Sequence, residues 1–257
     1  MSTKPAHTGP RDWDAEVYDR ISDPQLRWAQ EVLERLELRG DETVLDAGCG
    51  SGRVTALLLK RLPRGRVIAV DGSASMVAKA RDSLGERADV RELDLAQLDL
   101  HEEVDLVFSN AVFHWIADHD NLFRPLHTAL RPGGRLVAQC GGAGNVARLG
   151  EAIAAVAAQR RYAEHFEAME GIWNFAPAED TAERLARCGF ADVRCWLERK
   201  AVRPTEPLDF LAVVTLGPFL QLLPSGSRDP FVADVAAAMG EPLVLAYVRL
   251  NIEAARP

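Results

Sequence analysis

The chain has 257 residues, 47% of them apolar, and 30 Lys plus Arg against 38 Asp plus Glu, a net charge of −8. That length suits one α/β domain with insertions or at most two small domains, and the apolar share excludes a disordered chain. The acidic balance and a longest basic run of Arg160-Arg161 argue against a nucleic-acid partner. The four cysteines, Cys49, Cys140, Cys188 and Cys195, form no CxxC pair, so a zinc knuckle is not expected and no metal is assigned. No segment approaches about 18 uninterrupted apolar residues and residues 1–11 hold no apolar leader core, so no membrane is expected and the chain reads as cytoplasmic with free thiols.

Residues 1–40 read as an arm and lid helices. Trp13, Val17 and Tyr18 fall at helical spacing, and a second helical stretch runs from about 24 to 38, ending at Arg39-Gly40-Asp41. From residue 43 the rhythm is strand, turn, helix. Strands are predicted at about 43–48, 66–70, 89–93, 104–108 and 135–140, with helices between them at about 53–62, 73–84 and 119–130. The first two strands are short apolar runs without clean alternation, the pattern of strands buried on both faces of a parallel sheet. Such alternation implies right-handed crossovers and a doubly wound sheet, with ligands beyond the carboxyl ends of the strands, where Asp46, Asp71, Asp94 and Ser109 fall. Helical patterns follow at about 146–169, 178–187 and 207–240, with strands at about 190–197 and 243–252. Residues 143–180 and 201–240 read as helical additions that cap one domain over residues 41–257.

The organising stretch is Thr43 to Gly52, an apolar strand, Asp46, and glycines at 48, 50 and 52, followed at once by an amphipathic helix. A ligand here would meet a helix N-terminus with no Cβ in its way. A dinucleotide fingerprint wants GxGxxG, but the third glycine position holds Arg53, and no phosphate-binding GxxxxGK[ST] run exists. S-adenosylmethionine, which has no phosphate, fits the remaining pattern. Asp71 can accept from both hydroxyls of a ribose diol, for this ligand as for NAD.

Val44 to Gly52 resembles motif I of the class I S-adenosylmethionine-dependent methyltransferases. Asp71 with Ser73 and Met76 resembles their acidic second-strand motif, Arg131-Pro132-Gly133-Gly134-Arg135-Leu136 their turn into strand five, and Cys188 to Val193 their turn into strand six. A narrower likeness is to the trans-aconitate methyltransferase group, through Trp13-Asp14 with Tyr18, Ser109 to Ile116, and Leu216 to Leu220. This chain has Gly217 where that group carries an Arg suited to a polycarboxylate. The resemblance implies a Rossmann-like seven-stranded sheet with its last strand antiparallel. It also implies S-adenosylmethionine as methyl donor, S-adenosylhomocysteine as product, and a small-molecule acceptor methylated on a carboxylate, hydroxyl or amine.

On that resemblance the cofactor site comprises Asp46, Gly48, Cys49, Gly50, Gly52, Asp71, Gly72, Met76, Asp94, Leu95, Ser109, Asn110, Ala111 and His114, with Trp13, Tyr18 and Gln25 as lid. Bland alternatives stand beside several of these. Met76 can be an ordinary core residue, Asp94 a helix cap, and the N-terminal helix a packing element. His114, after the fourth strand, is the candidate catalytic base or else pocket lining. Trp173, Phe175, Phe210 and Phe219 are candidates for an apolar acceptor lining, and Arg161, Arg199 and Arg203 for an anion. An NAD-dependent oxidoreductase, or a cofactor binder of methyltransferase fold without turnover, remains as an alternative.

Overall fold

A computed structural model of the protein describes residues 23–101, 103–167 and 172–257. After helix α1 (Asp23–Glu34), strands β1 (Thr43–Ala47), β2 (Arg66–Asp71), β3 (Asp89–Glu92), β4 (Val104–Asn110) and β5 (Leu130–Gly141) alternate with helices. These are α2 (Arg53–Arg61), α3 (Ala74–Leu84) and α4 (His119–Ala129). Beyond β5 come α5 (Ala147–Ala157), α6 (Ala178–Arg187) and β6 (Ala191–Val202). Two short helices, α7 (Pro207–Phe210) and α8 (Gly217–Leu220), flank a π-helical turn at Leu211–Thr215, and α9 (Ser225–Met239) leads to β7 (Leu245–Ala255).

The seven strands form one sheet in the order β3-β2-β1-β4-β5-β7-β6. Strands β1 to β5 run parallel, and β7 is antiparallel to both β5 and β6. This is the Rossmann-like sheet with a reversed last strand that the resemblance implied. The chain builds outward from β1 to β3 and then returns to lay β4 on the other side of β1. The topological switch point is therefore the gap between β1 and β4, and a doubly wound sheet opens its ligand crevice there.

Alternate residues of each central strand feed different cores. Leu45, Ala47, Ile68, Val70 and Val107 pack against α4 and α6 through Leu122, Phe123, Leu126 and Leu185. Val44, Val67, Ala69, Leu106 and Phe108 pack on the opposite face with Leu33, Leu58, Ala80 and Leu84. A third apolar cluster belongs to the helices after β5, joining Leu149, Ile153 and Val156 of α5 to Phe210, Phe219, Phe231 and Val235. Trp28 of α1 and Tyr247 of β7 join this cluster, their rings meeting edge-on at 4.9 Å. The two helical additions thus share one core.

Three predicted boundaries move. The helix expected to 169 ends at Ala157, where Ala158 caps it and the chain turns to bury Tyr162. Strand β6 continues past Leu197 to Val202, pairing to Leu245 along the whole of its second half. Strand β5 starts at Leu130 rather than Arg135, before the glycine turn.

Candidate functional site

The backbone ladder between β1 and β4 ends at Asp46 and Phe108. One residue further on, the Ser109 hydroxyl donates to the Ala47 carbonyl at 2.6 Å and closes the floor of the crevice. Ser109 is thus a staple between strands, its side chain turned to protein. Above it lies the glycine turn. Gly48, Gly50 and Gly52 all have positive φ, a conformation that costs other residues about 1–2 kcal/mol. A Cβ on Gly48 would lie 2.1 Å from Val112 and one on Gly52 2.9 Å from Leu84, whereas one on Gly50 would meet nothing within 4 Å. Two of the glycines therefore allow close packing, and Gly50 is the one that leaves space.

The turn is not an anion nest. The N–H groups of Gly48 and Cys49 donate to the Val70 carbonyl at 2.8 and 2.9 Å, and that of Gly52 to Cys49 at 3.1 Å. The Gly50 N–H donates to Asp71 Oδ2 at 2.9 Å, and Asp71 Oδ1 accepts from Ser73 N–H at the same distance. The Asp71 carboxylate is therefore fixed at the rim, beside half-buried Gly72. Beneath it Asp46 is 2% exposed and accepts from the Thr55 hydroxyl at 2.7 Å. Burial pushes the Asp46 carboxyl up to about 7, against the Thr55 hydrogen bond and helped by repulsion from Asp71. Cys49 is buried, and desolvation with the two nearby carboxylates raises its thiol far above the ordinary range, so no thiolate forms.

The next candidates line up along the crevice. Met76 is buried in the first turn of α3, where Ser73 caps the helix by accepting from the Met76 N–H. Asp94 caps a 3-10 turn by accepting from Ala96 N–H at 3.0 Å, and the Leu95 side chain is part of the core. Ala111 stands at φ 62, its N–H donating to the Gln139 carbonyl at 2.7 Å. Among the described residues Asn110 Oδ1 is buried with no hydrogen-bond partner. Trp13 and Tyr18 lie outside the described residues, and Gln25 lies in the first turn of α1 with its side chain outside that description.

His114 is held by the backbone of β5. It is 8% exposed in a 3-10 turn at Phe113–Trp115, and its Nδ1 accepts from the Gly141 N–H at 3.3 Å. Burial, with Arg249 and His119 nearby, holds its pKa well below the usual imidazole range. The ring is neutral at pH 7 with its lone pair on Nδ1 engaged, so the proton sits on Nε2. That nitrogen is a donor.

The basic candidates also change. Arg161 is ion-paired to Asp234 on α9, and Arg199 and Arg203 are exposed. Phe210 and Phe219 are buried in the helical core, while Trp173 and Phe175 keep exposed surface. Among the described residues the buried cation is Arg249 on β7, 3% exposed, its guanidinium 4.9 Å from the Trp28 ring centre. It belongs to a polar ladder on one sheet face. Arg249 Nε donates to Gln139 Oε1 at 3.3 Å, and Gln139 Nε2 donates to Asn251 Oδ1 at 2.7 Å, an oxygen that also accepts from Arg35 at 2.8 Å. Isolated polar residues in apolar strands were the available signal, and Trp28 could be found from its helical spacing to Val32 and Leu36.

A concavity of about 260 Å³ lies at the other end of the sheet, between residues 37–42 and 131–135. Its arginines are tied down, Arg131 to Asp105 at 3.0 Å, Arg39 to Asp41 at 3.3 Å and Arg135 to the Glu37 carbonyl at 3.0 Å. It is a seam of surface pairs, remote from the switch point.

Residues 45–138 match the family model of a methyltransferase domain. That segment runs from the glycine turn through the exit of β4 into β5, the part of the chain that builds the crevice. The sheet order and its reversed last strand are shared with solved methyltransferase structures, and the matched segment resembles a methyltransferase domain. The chain is 42% identical over 127 residues to a trans-aconitate 2-methyltransferase from Azoarcus sp. (strain BH72), covering 49% of this chain and 50% of the relative. It thus spans about half the length of the curated relatives it matches. Among solved structures, phosphoethanolamine N-methyltransferase 2 of Haemonchus contortus, in complex with S-adenosyl-L-methionine, is 19% identical with a TM-score of 0.63. That match covers 95% of this chain and 56% of the other. The [4+2]-cyclase SpnF is also 19% identical, with a TM-score of 0.59 over 98% of this chain and 89% of its own. At such identities these likenesses show the shared fold. Among the described residues no helix is long and apolar enough to cross a membrane.

Proposed function

We propose that the protein is an S-adenosylmethionine-dependent methyltransferase acting on a small-molecule carboxylate. The observation that carries the cofactor is the character of the glycine turn. Its N–H groups at Gly48, Cys49, Gly50 and Gly52 are spent inside the protein, and two carboxylates, Asp46 and Asp71, stand beneath and beside it. Such a turn repels a pyrophosphate and suits a ligand that brings an ammonium, a sulfonium and a ribose diol. Asp71 would accept from the diol, Asn110 Oδ1 and the Asp46 carboxyl would face the ammonium end, and Met76 and Leu95 would border the base.

When bound, S-adenosylmethionine supplies an activated methyl group, so the protein need not build an electrophile. The chain's own work is to orient the acceptor beyond β4 and exclude water, and orientation of this kind supplies roughly 7–11 kcal/mol. The trans-aconitate relatives and the neutral, donor-type His114 support a carboxylate acceptor, which is ionised at pH 7 and needs no base.

Calorimetric titration with S-adenosylhomocysteine and with NAD separates the readings. Saturable binding of the first and none of the second is the expected result. Binding of NAD alone would refute the methyltransferase reading, and S-adenosylhomocysteine binding without methyl transfer to any acceptor would leave a cofactor-binding protein.

A further inference from the structure

The chain leaving β4 is gripped by one residue from the helical additions. A short helical turn leaves its last carbonyls without partners of its own, and Asn174 meets those that follow the 3-10 turn at Phe113–Trp115. Its N–H donates to the His114 carbonyl at 2.8 Å, and its side-chain amide donates to the Ala117 and Ile116 carbonyls at 3.0 and 3.2 Å. The backbone hydrogen and both amide hydrogens of Asn174 are thus directed at carbonyls within four consecutive residues.

The segment 172–176, which carries Asn174, is anchored on its other side as well. Ala143 N–H, two residues past β5, donates to the Ala176 carbonyl at 3.0 Å. Phe175 packs so closely on Gly141 that a Cβ there would lie 2.7 Å from its ring. Trp173 is stacked on Phe175 at 5.2 Å and meets buried Phe219 edge-on at 5.0 Å, which joins the segment to the helical core. Residues 172–176 therefore form a strap from the helical additions across the exits of β4 and β5.

What the strap holds leans on the glycine turn. Trp115 N–H donates to the Val112 carbonyl at 2.8 Å, and the Val112 side chain sits over Gly48, where a Cβ would lie 2.1 Å from it. Just before Val112 come Asn110 and Ala111, the latter at φ 62 with its N–H on the Gln139 carbonyl. Each link is a direct hydrogen bond or a close packing contact. A shift of residues 114–117 is therefore passed to Val112 and on to the two sides of the crevice, because packed groups have little free space to absorb it.

We propose that Asn174 is a positioning residue for the S-adenosylmethionine site, acting through the β4 exit. By fixing the carbonyls of residues 114, 116 and 117 it seats Val112 against Gly48 and sets the spacing between the glycine turn and Asn110. This rests on the methyltransferase reading and extends it, since it gives the helical additions a part in holding the methyl donor.

The test titrates S-adenosylhomocysteine by calorimetry into the full chain and into Asn174→Ala and Asn174→Gln, each well below its own Tm. The native chain should bind, and Asn174→Ala should bind about threefold or more weakly, the scale of coupling through a contiguous network. Asn174→Gln, which keeps both amide donors, should recover part of that loss. A merely structural role lowers Tm and leaves the Kd of the folded chain unchanged, and that result overturns the proposal. A Gln variant as weak as the Ala variant also overturns it, because the amide donors are then not the cause. If Asn174→Ala does not fold, hydrogen exchange on the native chain decides. S-adenosylhomocysteine should slow exchange in residues 172–176 together with 111–117, and slowing that leaves 172–176 untouched overturns the proposal. Absence of binding by the native chain removes the methyltransferase reading itself, whereas equal binding by native chain and Asn174→Ala removes this inference alone.

Discussion

Asp71 has two tasks that a single substitution would disturb together. Its carboxylate holds the Gly50 and Ser73 N–H groups, and the same oxygens stand where a ribose diol would be met. Asp71→Ala should weaken S-adenosylhomocysteine binding by about 1–3 kcal/mol, read by calorimetry, with a lower Tm because two loop donors lose their acceptor. Asp46 behaves differently. Its carboxyl is raised by burial to about 7 in the folded chain from the ordinary carboxylate range. Between those two values the folded state holds a proton that the unfolded state has released, so stability falls as pH rises towards and through 7. Asp46→Asn removes that loss and keeps an oxygen for the Thr55 hydroxyl. The mutant's Tm should therefore gain on the native protein as pH goes from 5 to 8. A constant difference would mean that Asp46 ionises without cost. Sequence spacing placed both acids at strand ends, and it placed His114 beside the expected acceptor. It could not distinguish a basic His114 from a donor, because that depends on one hydrogen bond from Gly141, which only the fold brings to Nδ1.

At the scale of elements, the glycine turn divides into residues that pack and a residue that leaves room. Gly48→Ala puts a Cβ into Val112 as well as forcing a left-handed alanine, whereas Gly50→Ala has only the backbone cost of about 1 kcal/mol. Gly48→Ala should thus lower Tm clearly more than Gly50→Ala. Adding Val112→Ala should recover part of the loss in the first variant and none in the second. The strand–turn–helix pattern was legible because glycine spacing and apolar runs are local properties. The end of β6 was not, since Glu198, Arg199 and Lys200 look like loop residues. They are tolerated because β6 is an edge strand, where charged side chains reach solvent and discourage further pairing. The end of α5 was hidden for the opposite reason. Alanine-rich sequence continues the helical pattern past Ala157, and what stops the helix is the tertiary contact that buries Tyr162 against Phe231 and bonds its hydroxyl to Asp234.

The whole molecule is joined by the polar ladder from Arg35 through Asn251 and Gln139 to Arg249, residues from three distant parts of the chain. Asn251 Oδ1 is the shared acceptor. Asn251→Leu should lower the free energy of urea unfolding by about 1–3 kcal/mol, because it leaves the buried Gln139 amide donor without that acceptor and takes one partner from half-buried Arg35. No short window of sequence contains this ladder, so the buried arginine on β7 was not legible in the sequence. Strand β7 also sets an order of events. It stands between β5 and β6, although β6 precedes it in the chain. When β6 leaves the ribosome its only neighbour in the sheet has not been made. The parallel half, with the glycine turn and Asp71, can assemble while synthesis continues, but β6 must wait as an unpaired ribbon. Arg249 arrives on that same late strand, so the polar ladder that ties the sheet to α1 closes only after the glycine turn and Asp71 are already in place.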